Sequence, residues 1–547
     1  MNIFALKRDG LIYDKFLLSL NKIRPNLLQW LAGFCGIIFV RFFLESLSSP
    51  TTSGFIASDP PTLLHYALFY GAATLAIMFV LRVFSGGKLN APFLALAGLS
   101  LIWLAPLLDL ILSRGAGRQM AYLVDGPRGL FANLFRYFGP LTTPGITSGM
   151  RIEIAVILAV VGGVVWLGTR RFWRSAGAVA ATYILLFAFV ALPGIVYATL
   201  GAPYGPARLD SIRYFQDLSQ TPSLIANILH GTLAFGTKLR LIELGFDAIF
   251  GRILYLLLFA LVLFWFFVAE RKKLVAVLKN CRPERVLFYW SFLVFGLASA
   301  PAQSISWPDW LGILCLFLAW FSAWMFAVHS NDIEDTAIDA VSNPGRPITA
   351  GALSSKEMRG SGYAWLFSAL IGAFLAGYYP FYMVLVYTAA YYIYSVPPLR
   401  LKRIPFLSSF LISLAVLSTV LAGFFFASYE KRLDAFPIFW TVGIILIFSL
   451  AVNIRDLKDV EGDRKEGIGT LPVLLGRTGE RLTGIFLAVS FILVPVFLKL
   501  PVLFLVAAPA ATAAYLLAAR KPYHEKYIFI LYFAFAAAAA LICHFVL

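Results

Sequence analysis

The sequence has few charged residues, few cysteines and few histidines for its length. Charged side chains make up 13% of the 547 residues, whereas 60% of the residues are hydrophobic. Soluble domains carry about 25% charged residues, so a water-soluble globular protein is excluded and a polytopic membrane protein is predicted. The four cysteines are scattered and show neither a CxxC nor a Cys/His ligand spacing. Neither a disulfide framework nor a zinc site is therefore indicated.

The net charge of +17 does not by itself indicate a nucleic-acid partner, and we expect none. Basic loops of membrane proteins face anionic headgroups on the cytoplasmic side, which accounts for such an excess. The first 26 residues are also basic, and no small-residue cleavage site follows the first apolar run. This pattern predicts an uncleaved cytoplasmic leader.

Apolar runs of about 20 residues, long enough to cross a ~30 Å hydrocarbon core, occur in both halves of the chain. A basic linker at 271–285 separates a front domain, 1–270, from a back domain, 286–547. The predicted fold class is an all-α polytopic membrane protein with a C-terminal bundle of nine helices and an N-terminal domain of about six. The nine runs of the back domain are 287–303, 311–330, 361–378, 381–395, 405–427, 434–452, 482–498, 501–518 and 527–547. The six of the front domain are 27–46, 64–84, 91–113, 152–169, 176–198 and 244–269.

The loops after the even-numbered helices of the back domain carry most of its Lys and Arg residues. The positive-inside rule places these loops in the cytoplasm. In the front domain, segments 114–151 and 199–243 combine Gly/Pro turns with short apolar pieces, which predicts re-entrant or interfacial helices. The role of the front domain stays open.

Two acidic stretches follow apolar helices at the predicted cytoplasmic face. At 100° per residue, each stretch places its acids on one stripe of a helix. The first stretch, in "NDIEDTAIDA", contributes Asn331, Asp332, Asp335 and Asp339, and the second, in "NIRDLKDVEGD", contributes Asp456, Asp459 and Asp463. Carboxylates sharing one cavity repel each other unless cations lie between them, and hard oxygen ligands without Cys or His suit Mg²⁺. The stretches therefore predict a Mg²⁺–diphosphate site.

Two basic residues lie beside these stretches. Arg346 lies between Gly345 and Pro347 in "NPGRPITAG". An arginine guanidinium can bind a phosphate group through two parallel hydrogen bonds. Lys402 follows the Pro397–Pro398 pair in an extended loop at the same face. Both are predicted to bind the diphosphate, although ordinary positive-inside flanks would look similar.

These motifs together resemble the UbiA superfamily of intramembrane prenyltransferases. The family's NDxxDxxxD motif stands at 331–339 and is followed by "NPGRPITAG", much like the family's RPI-x-x-G. Its DxxDxxGD motif stands at 456–463 and is followed by "GIGTLPVLLG". The loop "YSVPPLRLKR" and the segment "RPER" also fit the family pattern. The resemblance covers about 280–547, and residues 1–270 show no motif that we recognise.

The resemblance implies a bundle of nine helices around a central cavity that opens to the cytoplasmic side. Two Mg²⁺ ions would bridge the acidic motifs to the diphosphate of a polyprenyl donor, whose prenyl group is transferred to a hydrophobic or aromatic acceptor inside the membrane. It implies Asn331, Asp335, Asp459 and Asp463 as metal ligands. Arg346 and Lys402 would bind the diphosphate, and Tyr394, also a donor-binding residue, would stabilise the allylic cation with its aromatic face. Asp332, Asp339 and Asp456 would act in catalysis, by completing the metal shell or acting on the acceptor.

Two alternatives to prenyl transfer stay open. The same superfamily includes enzymes that transfer phosphoribose onto a polyprenyl phosphate, but "AVSNPGRPI" lacks the His-Pro and extra basic residues of that branch. A cation-coupled transporter, the alternative from another class, would be expected to place its acids near the midplane. The motifs do not specify the acceptor, the prenyl chain length or the oligomeric state. The resemblance implies a role in lipid or quinone biosynthesis.

Overall fold

The computed structural model describes residues 23, 25–48, 60–118, 120–201, 205, 208–228, 238–301, 305–465 and 467–546. Nearly all of the predicted leader lies outside these residues. Within them the chain is helical and forms no strand. This agrees with the predicted all-α class.

The helices of the front half are mostly long and apolar, with shorter helices in the segments between them. They are α1 (Leu27–Ser48), α2 (Pro60–Ser85), α3 (Ala91–Leu99), α4 (Leu104–Leu112), α5 (Pro127–Phe135), α6 (Ser148–Thr169), α7 (Phe172–Val190), α8 (Leu192–Leu200), α9 (Arg208–Ser219), α10 (Pro222–Ile228) and α11 (Lys238–Ala269).

The helices of the back half follow the predicted apolar runs, with short helices added at the acidic motifs. They are α12 (Arg271–Lys279), α13 (Pro283–Ser299), α14 (Trp307–Glu334), α15 (Thr336–Ser342), α16 (Ser355–Ala376), α17 (Tyr378–Ser395), α18 (Leu407–Ala427), α19 (Ile438–Ala451), α20 (Asp456–Lys465), α21 (Leu471–Leu475), α22 (Arg477–Leu498), α23 (Phe504–Ala519) and α24 (Glu525–Val546).

Twelve stretches of the described chain are long and apolar enough to cross a membrane, six in each half. The chain is therefore a multi-pass membrane protein. Three further helices stand where spans are predicted, α13, α16 and α17, but they are not among the twelve. The division into nine and six spans stays a prediction.

The chain divides into two compact units. The first comprises Met1–Thr221 and Phe235–Val268, and the second comprises Pro222–Ala234 and Ala269–Leu547. The unit boundary near residue 269 lies close to the start of the predicted linker. The segment Pro222–Ala234, which the sequence places in the front domain, is grouped with the second unit.

The first unit contains buried contacts between basic and acidic side chains, two of them between residues far apart in the sequence. Arg41 contacts Glu45 at 3.2 Å and Glu153 at 3.1 Å, and all three side chains are buried. Asp247 Oδ1 lies 2.6 Å from His65 Nδ1. Buried ionisable groups need such partners in apolar surroundings, so these contacts hold helices of the first unit together.

The second unit has a large aromatic and aliphatic core, with Trp320, Tyr387 and Phe425 among its fully buried side chains. Glycines permit a close helix crossing between α13 and α18. A Cβ atom on Gly296 would lie 2.0 Å from the carbonyl oxygen of Val420. A larger side chain would push the helices apart, as expected where small residues line a membrane helix interface.

Helix α10 packs within the second unit through buried polar contacts. The Asn227 side chain donates to the carbonyl of Phe426 at 3.2 Å and accepts from Lys431 Nζ at 2.8 Å. Ser223 donates to Asp309 at 2.9 Å. Burial lowers the pKa of Lys431 to about 7, although nearby Asp309 opposes this shift. A seven-residue helix from the front half is thus part of the structure that carries the acidic motifs.

Candidate active site

The first acidic motif lies where a long apolar helix ends. Helix α14 ends at Glu334, Asp335 departs from helical geometry with φ −100° and ψ 15°, and α15 then continues to Ser342. Helix α15 ends two residues before Pro344, which cannot continue a helix. The break at Asp335 was not predicted, and it changes the direction in which the first half of the motif points.

The second motif follows the same plan. Helix α19 is continued by a turn of 3₁₀ helix, Val452–Arg455, and then by α20. Asp456 and Asp459 lie in the first turn of α20, and Asp463 lies near its end. Gly467, with φ +67°, follows α20 and turns the chain away, because glycine adopts this left-handed geometry without strain. Both motifs therefore stand at the ends of membrane helices.

The two motifs line one polar cavity of about 910 Å³. Nine of the ten predicted site residues face it: Asn331, Asp335, Asp339, Arg346, Tyr394, Lys402, Asp456, Asp459 and Asp463. The tenth, Asp332, is not part of the cavity wall. The structure thus brings together residues that are up to 132 positions apart in the sequence.

Asp332 is buried behind the cavity, where its carboxylate holds three donors. Arg282 donates at 2.9 Å, Arg346 at 2.7 Å and Asn280 at 2.6 Å. Its side chain is only 1% exposed. Asp332 therefore orients two guanidinium groups and does not itself face the cavity.

The other carboxylates of the first motif are also paired with basic residues. Asp335 accepts hydrogen bonds from Lys402, at 2.6 Å for Oδ2, and from Arg400 at 2.9 Å. Asp339 pairs with Arg346. Burial raises the pKa of Asp339 to about 6, and Arg346 only partly offsets this shift.

The second motif differs from the first, because its acids make no ion pair within the described residues. Asp456, Asp459 and Asp463 all face the cavity. Asp459 Oδ1 is buried without a hydrogen-bond partner, and an unsatisfied buried polar atom costs about 1–3 kcal/mol. An arrangement this unfavourable is expected at a site that binds a cation.

Several basic residues of the cavity were missed or given little weight from the sequence alone. Arg282, Arg285 and Arg455 all line it. Arg282 and Arg285 belong to the "RPER" segment, which fits the family pattern, and Arg455 directly precedes Asp456 of the second motif. All three could therefore have been identified from their place beside the motifs. Arg400 lies in the basic loop "YSVPPLRLKR", where a positive-inside flank is the ordinary interpretation, yet it pairs with Asp335.

Tyr394 faces the cavity beneath a guanidinium. The Arg455 guanidinium carbon lies 5.5 Å from the centre of the Tyr394 ring, and Arg455 also approaches the Tyr394 hydroxyl at 3.3 Å. A cation over the face of a tyrosine ring is attracted by the ring's quadrupole. Tyr394 therefore positions Arg455 in this structure.

A second cavity, also of about 910 Å³, adjoins the polar one and is mostly apolar. The two cavities share three wall residues, Arg285, Tyr391 and Arg455. Its apolar wall includes Phe288, Ile412, Ile447, Phe448, Leu487, Phe491, Val494 and Phe535. A polar compartment and an apolar one thus meet at a tyrosine and two arginines.

The donor set of the polar cavity fits Mg²⁺ when phosphate oxygens complete the coordination. Within the described residues, no three His, Cys, Asp or Glu side chains converge closely enough to hold a metal alone. Mg²⁺ usually takes one or two carboxylates, waters and substrate phosphates rather than a complete protein cage. The unpartnered Asp459 Oδ1 is a hard oxygen of the type that Mg²⁺ prefers.

Comparison with known proteins agrees with this geometry. Residues 288–536 match the sequence model of the UbiA prenyltransferase family. We refer to the matched residues, 288–536, as the UbiA domain. Both cavities and both acidic motifs are built mainly from it, whereas α10 and α12 lie outside the matched residues of the UbiA domain.

Relatives of the UbiA domain are named as several different synthases and transferases. The chain is 32% identical over 152 residues to a digeranylgeranylglyceryl phosphate synthase of Pyrococcus horikoshii, covering 27% of this chain and 50% of the relative. It is 35% identical over 186 residues to a homogentisate solanesyltransferase of Arabidopsis thaliana, covering 31% and 46%. It is 30% identical over 201 residues to a chlorophyll synthase of Oryza sativa, covering 34% and 52%. The chain thus spans about half the length of these curated relatives.

Among solved structures, the chain is similar to a UbiA homolog from Archaeoglobus fulgidus bound to GPP and Mg²⁺. The two share 18% sequence identity with a TM-score of 0.41, over 48% of this chain and 96% of that one. An apo UbiA homolog from Aeropyrum pernix is similar at 20% identity with a TM-score of 0.38.

Proposed function

We propose that this chain is an intramembrane prenyltransferase. It transfers the prenyl group of a polyprenyl diphosphate to a hydrophobic or aromatic acceptor, with Mg²⁺ as cofactor, and releases diphosphate. The observation that carries this proposal is the junction of the two cavities. A polar cavity lined by both acidic motifs shares three wall residues with an apolar one, and this adjacency suits a donor with a charged head and a hydrocarbon tail.

The residues that would hold Mg²⁺ are Asn331 and Asp335 from the first motif and Asp459 and Asp463 from the second. Bound there, Mg²⁺, expected as two ions, would supply positive charge that stabilises the departing diphosphate. This assignment is supported by the position of all four side chains on one cavity wall. It is also supported by the absence of ion pairs on the second motif within the described chain.

The basic residues of the cavity would bind the diphosphate itself. Arg346 is held in place by Asp332 and Asp339, and Lys402 by Asp335. Arg455 is fixed over Tyr394. Such preorganised cations stabilise the charge that develops on the leaving group without having to reorganise during the reaction.

The prenyl tail would occupy the apolar cavity, with its first carbon near Tyr391. At this junction the Tyr391 and Trp324 rings are 5.8 Å apart, and the Tyr391 hydroxyl is hydrogen-bonded to Tyr289. Aromatic faces attract cations and would stabilise an allylic cation here. We assign this role to Tyr391 rather than Tyr394, because Arg455 already covers the face of Tyr394.

The reaction would proceed by breaking the bond between the first prenyl carbon and the diphosphate oxygen. The electron pair leaves with the diphosphate, and the allylic cation is attacked by the nucleophilic atom of the acceptor, which then loses a proton. Asp339 and Asp456 face the cavity and are the carboxylates placed to act on the acceptor. Asp332, buried behind them, serves by positioning Arg282 and Arg346.

The test uses the purified full chain with geranylgeranyl diphosphate and a panel of acceptors. Diphosphate release that requires Mg²⁺ and stops on chelation is expected. Asp335→Ala and Asp463→Ala should each abolish it, whereas Glu461→Gln, an exposed acid on α20, should not. Release at wild-type rate by either aspartate variant would contradict the assignment. Transfer from a phosphoribosyl diphosphate, and not from a prenyl diphosphate, would favour the other branch of the superfamily.

A further inference from the structure

Helix α12 is a short basic helix that precedes the UbiA domain. Its nine residues include four basic side chains and no acidic one. In the sequence it directly follows the candidate span Ile242–Ala269. It therefore begins where the chain leaves the apolar part of a bilayer.

The charges of α12 are only partly neutralised by the protein. Lys273 contacts Glu357 at 2.9 Å and Glu270 at 3.4 Å. Lys272 and Lys279 are exposed and make no ion pair with any described residue. Val277 is buried, whereas Val275 is 37% exposed. The helix thus presents unpaired positive charge together with exposed apolar surface.

The end of α12 is connected to the candidate active site by two hydrogen bonds. Asn280 caps the helix by donating its backbone N–H to the carbonyls of Ala276 and Val277, and its side chain donates to Asp332 at 2.6 Å. Arg282 donates to the other oxygen of Asp332 at 2.9 Å. Asp332 in turn holds Arg346, which lines the polar cavity.

We propose that α12 docks on anionic lipid headgroups at the membrane surface, and that docking raises the affinity of the site for diphosphate. The partner is identified by charge, since basic residues next to a membrane helix attract anionic lipid. Docking holds Asn280 and Arg282 against Asp332, which fixes the orientation of Arg346. The lipid contact itself does not depend on the reaction, whereas the effect on affinity rests on the proposed function.

The strength of docking on anionic lipid follows from the number of unpaired basic side chains on α12. Each basic residue near an anionic surface strengthens association on the order of fivefold. The two unpaired lysines, Lys272 and Lys279, together account for roughly 25-fold on this basis. Because screening by salt acts over ~10 Å at 0.1 M ionic strength, docking should weaken steeply as salt is added.

The experiment compares the full chain in nanodiscs of phosphatidylcholine alone with nanodiscs that also contain phosphatidylglycerol. Hydrogen exchange over residues 271–282 reports docking directly, and titration with diphosphate in the presence of Mg²⁺ reports the site. The variant Lys272→Gln/Lys279→Gln removes the unpaired charges. Lys356→Gln is the matched control, because it removes an exposed lysine at the start of α16.

We expect anionic lipid to slow exchange in the wild type and the control and to tighten diphosphate binding by up to roughly 25-fold, the full strength of docking. The double variant should show neither effect and should match the wild type in phosphatidylcholine. Equal exchange in both lipids, or a double variant that responds like the wild type, would overturn the docking. Protection without any change in diphosphate affinity would overturn its link to the site. If no disc binds diphosphate, the proposed function fails, and the exchange data still decide whether α12 docks.

Discussion

Asp459→Asn should make the protein more stable in the absence of Mg²⁺, because the wild-type carboxylate is an energetic cost to the fold. Asp459 Oδ1 is buried without a partner, and such an atom costs about 1–3 kcal/mol. Asp463 lies four residues further along α20, and a like-charge pair at this spacing costs a further ~0.2–0.5 kcal/mol. An amide of the same shape leaves the buried atom unpartnered but removes the repulsion of Asp459 with Asp456 and Asp463, so we expect a net gain in stability of roughly 0.4–1 kcal/mol.

The same substitution should abolish the stabilisation that ligand gives. Bound ligand at 100 times its dissociation constant adds about 2.7 kcal/mol to the stability of the folded state. The wild type should gain this from Mg²⁺ and diphosphate together, and Asp459→Asn should gain little. The assay is thermal unfolding of the purified full chain in EDTA and again with Mg²⁺ and diphosphate.

Glu461→Gln serves as the matched control for this prediction. It neutralises an exposed acid on the same helix and should change neither measurement by more than ~0.5 kcal/mol. Two results would contradict this prediction. One is a lower melting temperature for Asp459→Asn than for the wild type in EDTA, and the other is the full wild-type increase in melting temperature with Mg²⁺ and diphosphate. Either result would mean that Asp459 is a structural residue.

Three further predictions concern side chains that hold the second unit together. Asp332→Asn should destabilise the protein by about 3–5 kcal/mol, because Arg282 loses its carboxylate partner and Arg346 loses one of its two; wild-type thermal stability would contradict this. Asn227→Ala should cost about 1–3 kcal/mol, because the carbonyl of Phe426 loses its side-chain donor and Lys431 Nζ keeps only the carbonyl of Phe425 as acceptor; an unchanged melting temperature would show that these contacts of α10 contribute nothing. Burial lowers the pKa of Lys431 to about 7, so the folded state binds fewer protons than the unfolded state from pH 7 up to about 10.4. Stability should therefore rise with pH across this window, by up to about 5 kcal/mol, and be lost as pH falls towards 7. Lys431→Met should remove the slope, whereas Arg432→Gln, which alters an exposed ion pair, should keep it.

The side chains that meet in the polar cavity could be predicted because helical periodicity is a local property. Asp335 and Asp339 are four residues apart, as are Asp459 and Asp463, and this spacing puts each pair on one side of a helix. The acids at these positions consequently face one cavity together with Asp456. The family motifs supplied the pairing of the two stretches, which no local pattern contains.

The remaining features depend on tertiary contacts and could not be read from local sequence. Asp332 shares the helical stripe, yet it is buried, because the helix breaks at Asp335 and Arg282 and Asn280 fold over it. Helix α10 has an ordinary sequence, and only its contacts with Lys431 and Asp309 reveal that it belongs to the second unit. Positive-inside flanks and site residues look alike in a sequence, which is why Arg400 and Arg455 were not singled out.

The central claim is that both acidic motifs hold one Mg²⁺–diphosphate unit, and a double-mutant cycle tests it most directly. Diphosphate affinity is measured by calorimetry, with and without Mg²⁺, for the wild type, Asp335→Asn, Asp459→Asn and the double variant. If one bound diphosphate bridges the motifs, the single substitutions should each remove most of the Mg²⁺-dependent affinity, and the double variant should lose little more. Losses that simply add, within about 0.5 kcal/mol, would show that the motifs act independently and would contradict the account.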